Sequence, residues 1–269
     1  MKIIDELSLS TCVFNIRNKT ALPLAKQAEI TLASGINYIE LSEVNSSLSD
    51  IKSIKTTGVK VWAVHGILGF GCISPDKNER IKAVELAYTH AAERAMYAPC
   101  PLVEHYFNRY NNPKIGDYFK DSIEMLYDKV SKLGYILCIE TAPYKPLDFE
   151  HHPDSLEIAN FVKSFNKEDL QVIVDFNHSN IREDLADTAK NTANLVKSVH
   201  ISQNNGEKEE HLPPWDGVID LKHGWDAFRQ YGYTGPCNLE FIFPGATDYP
   251  TVEDLVKTKD YMEKLLWNK

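Results

Sequence analysis

The sequence is poor in cysteine and has no long hydrophobic run. Its 269 residues include five cysteines, an odd number spread along the chain: Cys12, Cys72, Cys100, Cys138 and Cys237. This distribution does not suit a disulfide framework, so we expect five reduced thiols. No apolar run approaches the roughly 20 residues that a membrane-spanning helix needs, and the N-terminal segment MKIIDELSLS lacks the apolar core of a secretory signal. We therefore expect a cytoplasmic protein that does not associate with membranes.

An excess of positive charge is also missing. The chain has 29 Lys and Arg against 38 Asp and Glu, which gives a formal net charge of −9. Nucleic-acid binding depends on the neutralisation of phosphates, and only four cations lie near the loops that would form a binding face: Lys77, Arg80, Arg109 and Lys145. We therefore do not expect a nucleic-acid partner. The phosphate-binding patterns G-x-G-x-x-G and G-x-x-x-x-G-K-[ST] are absent as well, so we expect no nucleotide cofactor.

What the chain does contain is a regular alternation of strand-like and amphipathic segments. Strands are predicted at 8–15, 37–41, 60–65, 100–105, 135–141, 170–176, 195–201 and 235–243. Helices are predicted between and after them at 23–34, 47–57, 78–96, 118–133, 153–165, 182–191, 221–232 and 251–267. Alternation with about 30 residues per unit predicts right-handed βαβ crossovers and a parallel sheet.

Eight such units predict an α/β protein with a closed (β/α)8 TIM barrel. An open, doubly wound sheet would also alternate, but it concentrates its binding site at one switch point. Here polar residues follow at least seven of the predicted strands, as expected for the rim of a barrel. No linker rich in Pro, Gly or Ser interrupts the pattern, so we expect a single domain over residues 1–269.

Four polar residues close the last four predicted strands. They are Glu140 in YILCIET, Asp175 in LQVIVD, His200 in VKSVHIS and Glu240 in CNLEFIF. A carboxylate in a run as apolar as VIVD is costly to bury without a partner. Carboxylate and imidazole ligands together suit one divalent metal ion, which we expect to be Mn, Co, Zn or Mg.

These residues and their surroundings resemble those of the xylose isomerase-like TIM barrels. That superfamily includes sugar isomerases and epimerases, inosose-type dehydratases and apurinic-site endonucleases. VDFNH is similar to the family's D-x-x-H, which places His178 three residues after Asp175. HISQNNGEKEEHLPPWDGVID is similar to the long loop after strand seven. The resemblance covers nearly the whole chain, and it implies that Glu140, Asp175, His200 and Glu240 hold the metal.

The resemblance implies a metal-dependent isomerase or epimerase that acts on a small-molecule sugar or polyol ketone. Glu140 and Glu240 are then the catalytic carboxylates, which move a proton at a carbon beside a metal-chelated carbonyl through a cis-enediolate. Epimerisation, aldose–ketose isomerisation and an inosose- or dehydroshikimate-type dehydration share this first step, so all three stay open. Barrels of this kind often pair through their helical faces, and by fold analogy a homo-oligomer is an expectation.

Six further residues are candidates for substrate binding: His178, His65, Glu40, His105, His211 and Trp215. Each lies near the end of a predicted strand or in the matched loop. For a lone strand-end histidine the alternative is a structural hydrogen bond. The sequence also departs from the family pattern, because Gly206 stands where ketohexose epimerases have an arginine and Gln203 where an Asp or Asn is common.

A phosphodiester hydrolase similar to the apurinic-site endonucleases is the alternative function. The resemblance to that branch implies three zinc ions. His65, His105 and Glu140 match one metal's ligands, and His178 with Glu209 and His211 matches another's. What these histidines do therefore separates the two hypotheses.

Overall fold

A closed barrel of eight parallel strands forms the centre of the computed structural model, which describes residues 3–16, 19–42, 46–107, 112–143 and 151–269. The strands pair in chain order and β1 also pairs with β8, so the predicted (β/α)8 TIM barrel is confirmed. Their bounds are β1 Leu7–Ser10, β2 Tyr38–Leu41, β3 Lys60–His65, β4 Pro101–His105, β5 Ile136–Glu140, β6 Leu170–Asp175, β7 Val196–Ile201 and β8 Cys237–Leu239.

The α-helices of the described residues surround this barrel. They are α1 Leu24–Ala33, α2 Leu48–Ser53, α3 Lys77–Arg94, α4 Pro113–Val130, α5 Ser155–Lys163, α6 Phe176–Ser179, α7 Leu185–Asn191, α8 Leu221–Gln230 and α9 Val252–Trp267. Short 3-10 turns complete the pattern at Thr11–Phe14, Ile54–Thr56, Phe70–Ile73, Ala95–Tyr97 and Ser131–Leu133.

Side-chain caps explain where several helices begin. The Asp154 carboxylate accepts a hydrogen bond from the Glu157 amide at the start of α5, and Thr251 forms a capping box with Asp254 at the start of α9. α4 begins five residues before the predicted start at 118, because Asn112 caps it and a proline occupies its first turn. The four-residue helix α6 was not predicted.

Two strands, β1 and β8, are shorter than predicted by several residues. β1 ends at Ser10 instead of residue 15, because Thr11–Phe14 turn into a 3-10 helix. β8 spans three residues instead of 235–243. Directly after β8, the Glu240 amide still donates a hydrogen bond to the Ile201 carbonyl of β7. The Ile242 amide instead donates to the His211 carbonyl in the loop after β7. The chain therefore leaves the barrel directly after Glu240.

The core has two layers, as the alternation of side chains along a strand requires. A small cluster fills the barrel axis: Ala63, Val103, Cys138 and Ile173. A much larger cluster fills the space between strands and helices. Below the axial cluster, the Trp62 indole donates a hydrogen bond to Ser198. The polar candidate residues lie at the opposite end of the barrel, where the parallel strands have their carboxyl ends.

The cysteines are free thiols, and the helices are not of the membrane-spanning kind in the described parts of the chain. All five cysteines are free, as predicted, and four of them are buried. In the parts of the chain that the structure describes, none of the helices is both long and apolar enough to cross a membrane.

Candidate metal and catalytic site

Four buried side chains meet at the carboxyl ends of β5 to β8. They are Glu140, Asp175, His200 and Glu240, and each offers one ligand atom within 4.8 Å of the others. β5 ends on Glu140 and β6 on Asp175, His200 is the penultimate residue of β7, and Glu240 directly follows β8. The parallel pairing sets Asp175 beside His200 in register. The barrel therefore brings together the four residues that the sequence analysis singled out.

His200 lies at the centre of this cluster. Its Nδ1 is 2.8 Å from a carboxylate oxygen of Glu140 and 2.8 Å from one of Glu240. On the other edge of the ring, Nε2 is 2.9 Å from Glu40 Oε2. Burial alone would lower the pKa of His200, but the three carboxylates outweigh it and raise that pKa well above its usual value. Without a metal, the ring therefore holds a positive charge.

The two flanking glutamates respond in the opposite direction. Burial would raise the pKa of Glu240, but His200 and His211 outweigh burial and lower that pKa to about 2. For Glu140, His105 and His200 likewise outweigh burial and hold the pKa well below its usual value. Both carboxylates are therefore ionised at neutral pH.

The donor set and its spacing fit a divalent cation. Ligand atoms bound to one such ion at roughly 2.0–2.6 Å lie at most about 5 Å apart, and the four atoms here lie within 4.8 Å. Oδ1 of Asp175 accepts hydrogen bonds from the Asn177 and His178 amides, whereas the buried Oδ2 accepts no hydrogen bond among the described residues and lies 3.3 Å from His178 Nε2. Burial of this oxygen is costly without a positively charged partner, which a bound cation would supply.

Histidines flank the cluster on one side. His105 Nδ1 is 2.8 Å from Glu140 Oε2, and His65 Nε2 is 3.8 Å from the same oxygen. The two imidazole rings lie 5.0 Å apart. His65, His105 and Glu140 form a second group with ligand atoms close enough for one metal ion.

A third group lies on the opposite side and consists of Asp175, His178 and His211. Glu209 lies between the two histidines, 3.5 Å from His178 Nε2 and 3.0 Å from His211 Nε2. Burial would lower the pKa of both rings, but neighbouring carboxylates outweigh it and raise the pKa of His178 to about 9 and that of His211 to about 10. His211 adopts φ 52°, an uncommon backbone conformation for a non-glycine residue.

The D-x-x-H sequence has a local structural explanation. Asp175 caps the short helix α6, and this turn brings His178 back over the cluster. Nδ1 of His178 donates to the Thr141 carbonyl at 2.7 Å, so Nε2 carries the lone pair when the ring is neutral. His178 therefore presents Nε2 toward Asp175.

Other candidates lie in different surroundings from those predicted. Glu40 is fully buried and its carboxylate contacts Nε2 of His200. Its contact with substrate hydroxyls stays a prediction. Trp215 is 46% exposed and its ring packs edge-to-face with Phe241 and with Tyr261 on α9. Its role as a substrate contact stays a prediction.

The departures from the family pattern have structural roles. Gln203 is buried and donates to the Ile219 carbonyl, while its own oxygen accepts from the Ile219 amide. It therefore closes the loop after β7. Gly206 adopts φ 83° and its amide donates to the Asn204 side chain.

A cavity of about 360 Å³ opens beside the cluster. It is lined by Cys12, Asn15, Ser42, His65, Gly66, Ile67, Leu68, His105 and Glu240. The sequence did not indicate the lining residues that follow β1 and β2, namely Cys12, Asn15 and Ser42, because they lie in segments that carry no motif. Because the cavity lies beside Glu240, it is the candidate substrate pocket.

Two of the four cations considered for nucleic-acid binding lie in the described parts of the chain. Arg80 is buried, and its guanidinium is bound to Asp121 and to the Ser74 carbonyl. Lys77 begins α3 and is exposed. Arg109 and Lys145 lie outside the described residues.

Comparison with known proteins gives consistent matches. A family model described as xylose isomerase-like TIM barrel matches residues 31–265. A D-psicose 3-epimerase of Agrobacterium fabrum is 32% identical over 151 residues, which cover 51% of this chain and 47% of that protein. An uncharacterised protein of Methanocaldococcus jannaschii is 26% identical over 117 residues, 42% of this chain and 36% of that protein. The chain thus matches about half or less of the length of these relatives.

Solved structures share the architecture over almost the whole chain. A D-allulose 3-epimerase from Methylomonas sp. superposes with a TM-score of 0.78 at 15% identity, covering 99% of this chain and all of that one. A D-psicose 3-epimerase from Clostridium cellulolyticum superposes with a TM-score of 0.77 at 15% identity, covering 97% of this chain and 99% of that one. At these identities the likeness shows the fold.

Proposed function

Because the chain belongs to the xylose isomerase-like TIM barrel family, we propose that it is a metal-dependent isomerase or epimerase of a sugar or polyol ketone. The observation that carries the proposal is the buried cluster of Glu140, Asp175, His200 and Glu240 beside an open cavity. The names of the matching relatives, which include D-psicose and D-allulose 3-epimerases, support the same reaction class.

Glu140, Asp175, His200 and Glu240 would hold one divalent ion, for which Mn, Co, Zn and Mg are the candidates. When bound, that ion supplies Lewis-acid stabilisation of the negative charge that develops on a carbonyl oxygen. The charges of the protein fit this role. Glu140 and Glu240 are held ionised, and His200 would give up the proton it otherwise carries in order to bind the cation.

Two ionised carboxylates allow a proton to move in two directions. Glu140 ends β5 and Glu240 follows β8, so they approach His200 from well-separated strands of the barrel. One carboxylate removes the proton beside the substrate carbonyl and the other returns a proton to the same carbon. If the two act on opposite faces of the substrate, the product is the epimer.

His178 would orient the substrate through Nε2, because its Nδ1 is engaged by the Thr141 carbonyl. His65 and His105 line the cavity beside Glu240 and would contact the other end of the substrate. A glycine at position 206 cannot make the side-chain contact of an arginine, so the proposed substrates extend from ketoses to inosose-like ketones.

Metal loading and product analysis test this proposal. The protein is freed of metal with a chelator and reloaded with Mn, Co, Zn or Mg. It is then incubated with a panel of ketoses, aldoses and inososes. We expect one metal ion per chain and metal-dependent conversion of at least one substrate to its epimer, isomer or dehydration product. Conversion that persists without metal would contradict the proposal.

The two histidine groups favour a second candidate, a phosphodiester hydrolase with three zinc ions. Each group has its ligand atoms within 4.8 Å and shares one residue with the central cluster: Glu140 on one side and Asp175 on the other. Zinc analysis with an abasic DNA duplex tests this candidate. Three zinc ions per chain with strand cleavage would support it, whereas one metal ion and no cleavage would exclude it.

A further inference from the structure

We propose that Glu40 is a positioning residue that holds the His200 ring with Nδ1 toward the metal and Nε2 turned away. This inference rests on the proposed metal-dependent function. Glu40 comes from β2, which lies opposite β6 in the closed barrel and two strands away from β8. Its carboxylate touches none of the three other metal-binding residues in the hydrogen bonds and ion pairs of the described part of the chain.

The hydrogen bond between Glu40 and His200 decides which ring nitrogen can bind a metal. A neutral imidazole has one N–H and one lone pair, whereas a carboxylate can only accept hydrogen bonds. Glu40 Oε2 lies 2.9 Å from Nε2, so Nε2 carries the hydrogen. When the ring gives up its other proton to bind a metal, the lone pair is therefore on Nδ1, which faces Glu140 and Glu240 at 2.8 Å. Partners of this kind orient a ligand ring and raise its basicity.

The surroundings of Glu40 indicate that its main interaction is the hydrogen bond with His200. The side chain is fully buried and does not line the cavity beside Glu240. Its second oxygen, Oε1, has no hydrogen-bond partner among the described residues. The hydrogen bond to His200 is therefore the interaction that compensates the burial of this carboxylate.

The strand that carries Glu40 is irregular at this residue. β2 and β3 pair as Ile39 with Val61, but the next pair is Glu40 with Ala63, so one residue of β3 is skipped. A bulge of this kind changes the direction in which a side chain points and is common beside active sites. Ala63 belongs to the cluster on the barrel axis, and the shift places Glu40 beside it.

The inference is tested with zinc alone as the probe. Zinc affinity is measured by chelator competition for the wild type, Glu40→Gln and Glu40→Leu. Glu40→Gln preserves size and replaces the carboxylate with a weaker, neutral acceptor, and it keeps the test informative if Glu40→Leu fails to fold. Glu104→Gln is the matched control. Glu104 is also a buried strand glutamate, but it accepts a hydrogen bond from the Leu68 amide. It follows the axial Val103 in β4, so its side chain lies on the opposite face of the strand.

We expect Glu40→Gln and Glu40→Leu to lower zinc affinity by roughly 10- to 100-fold, and Glu104→Gln to leave it unchanged. Nitrogen NMR of histidine-labelled, zinc-loaded wild type should show zinc on Nδ1 and hydrogen on Nε2 of His200. The His200 signals are assigned by their loss in His200→Asn.

Equal zinc affinity in the wild type, Glu40→Gln and Glu40→Leu, or zinc on Nε2, would overturn the inference and leave the proposed function standing. A wild type that binds no zinc, manganese, cobalt or magnesium would overturn the proposed function itself and this inference with it.

Discussion

Glu140 and Glu240 approach the same nitrogen of His200. One oxygen of each carboxylate lies 2.8 Å from Nδ1, although the residues come from different strands of the barrel. Three ionisable groups thus converge on one point at the carboxyl end of the sheet. In the metal-free protein the proton on His200 compensates the negative charge of the carboxylates. A bound divalent cation would compensate that negative charge instead.

Metal binding should therefore release a proton. The pKa of His200 is raised well above its usual value by Glu240, Glu40 and Glu140 against the effect of burial, so the ring is protonated at neutral pH without metal. We expect zinc binding to release about one proton and to weaken about tenfold for each pH unit below that pKa. Calorimetry in buffers of different ionisation enthalpy measures the release. Zinc binding without proton release would show that His200 is not a ligand.

Replacement of Glu140 and replacement of Glu240 should each slow conversion but should affect hydrogen exchange in different epimers. We expect Glu140→Gln and Glu240→Gln to lower the rate of epimer conversion by roughly 10²- to 10⁴-fold, because each removes one proton carrier. If they act on opposite faces, each variant should still exchange solvent hydrogen into one epimer and not into the other. Bound metal is quantified in parallel, since both residues are also proposed ligands. Full conversion by either variant would contradict its assigned role.

Replacement of His178 should weaken substrate binding without loss of the metal. His178 contacts Asp175 at 3.3 Å and Thr141 at 2.7 Å, but it is not one of the four central ligands. We expect His178→Asn to lower kcat/KM by roughly 10- to 100-fold, the loss of one charged hydrogen bond. The metal content should stay at one ion per chain. Loss of the metal together with activity would place His178 in the metal shell, as the three-zinc alternative requires.

The buried carboxyl of Glu104 should make stability depend on pH. Burial raises the pKa of Glu104 to about 7, although the Leu68 amide donates to it. The folded state therefore binds more protons than the unfolded state between pH 4.5 and about 7, so this contribution to stability is full below pH 4.5 and is lost as the pH rises. The shift corresponds to about 3 kcal/mol.

Urea unfolding of the metal-free protein at several pH values measures this effect. Glu104→Gln should remove the loss, so its free energy of unfolding relative to the wild type should rise between pH 4.5 and pH 8. A constant difference between the two proteins over that range would show that Glu104 keeps an ordinary pKa when the protein is folded.

The sequence allowed the barrel and the central cluster to be predicted for one shared reason. Parallel strands end at the same edge of the sheet, so residues that close successive strands must meet. Glu140, Asp175 and His200 each close an apolar run. Their convergence therefore needs only the strand assignments, which the buried runs and amphipathic helices make clear.

The position of Glu40 could not be predicted in the same way. It also closes a strand, and the pattern alone placed it at the mouth with the others. In the structure β2 shifts register against β3 at Glu40, and the carboxylate of Glu40 contacts Nε2 of His200. A bulge depends on how two distant strands pack, and nothing in NYIEL marks it. The early end of β1 and the pocket residues Cys12, Asn15 and Ser42 likewise depend on loop packing.

Incorporation of solvent deuterium tests the central claim most directly. The metal-loaded protein is incubated in deuterium oxide with a panel of ketoses and inososes, and the recovered substrates are examined by NMR and mass spectrometry. We expect deuterium at a carbon beside the carbonyl of at least one substrate, dependent on the metal and lost when both Glu140 and Glu240 are replaced by Gln. No exchange with any substrate, together with three bound zinc ions and cleavage of an abasic duplex, would contradict the account.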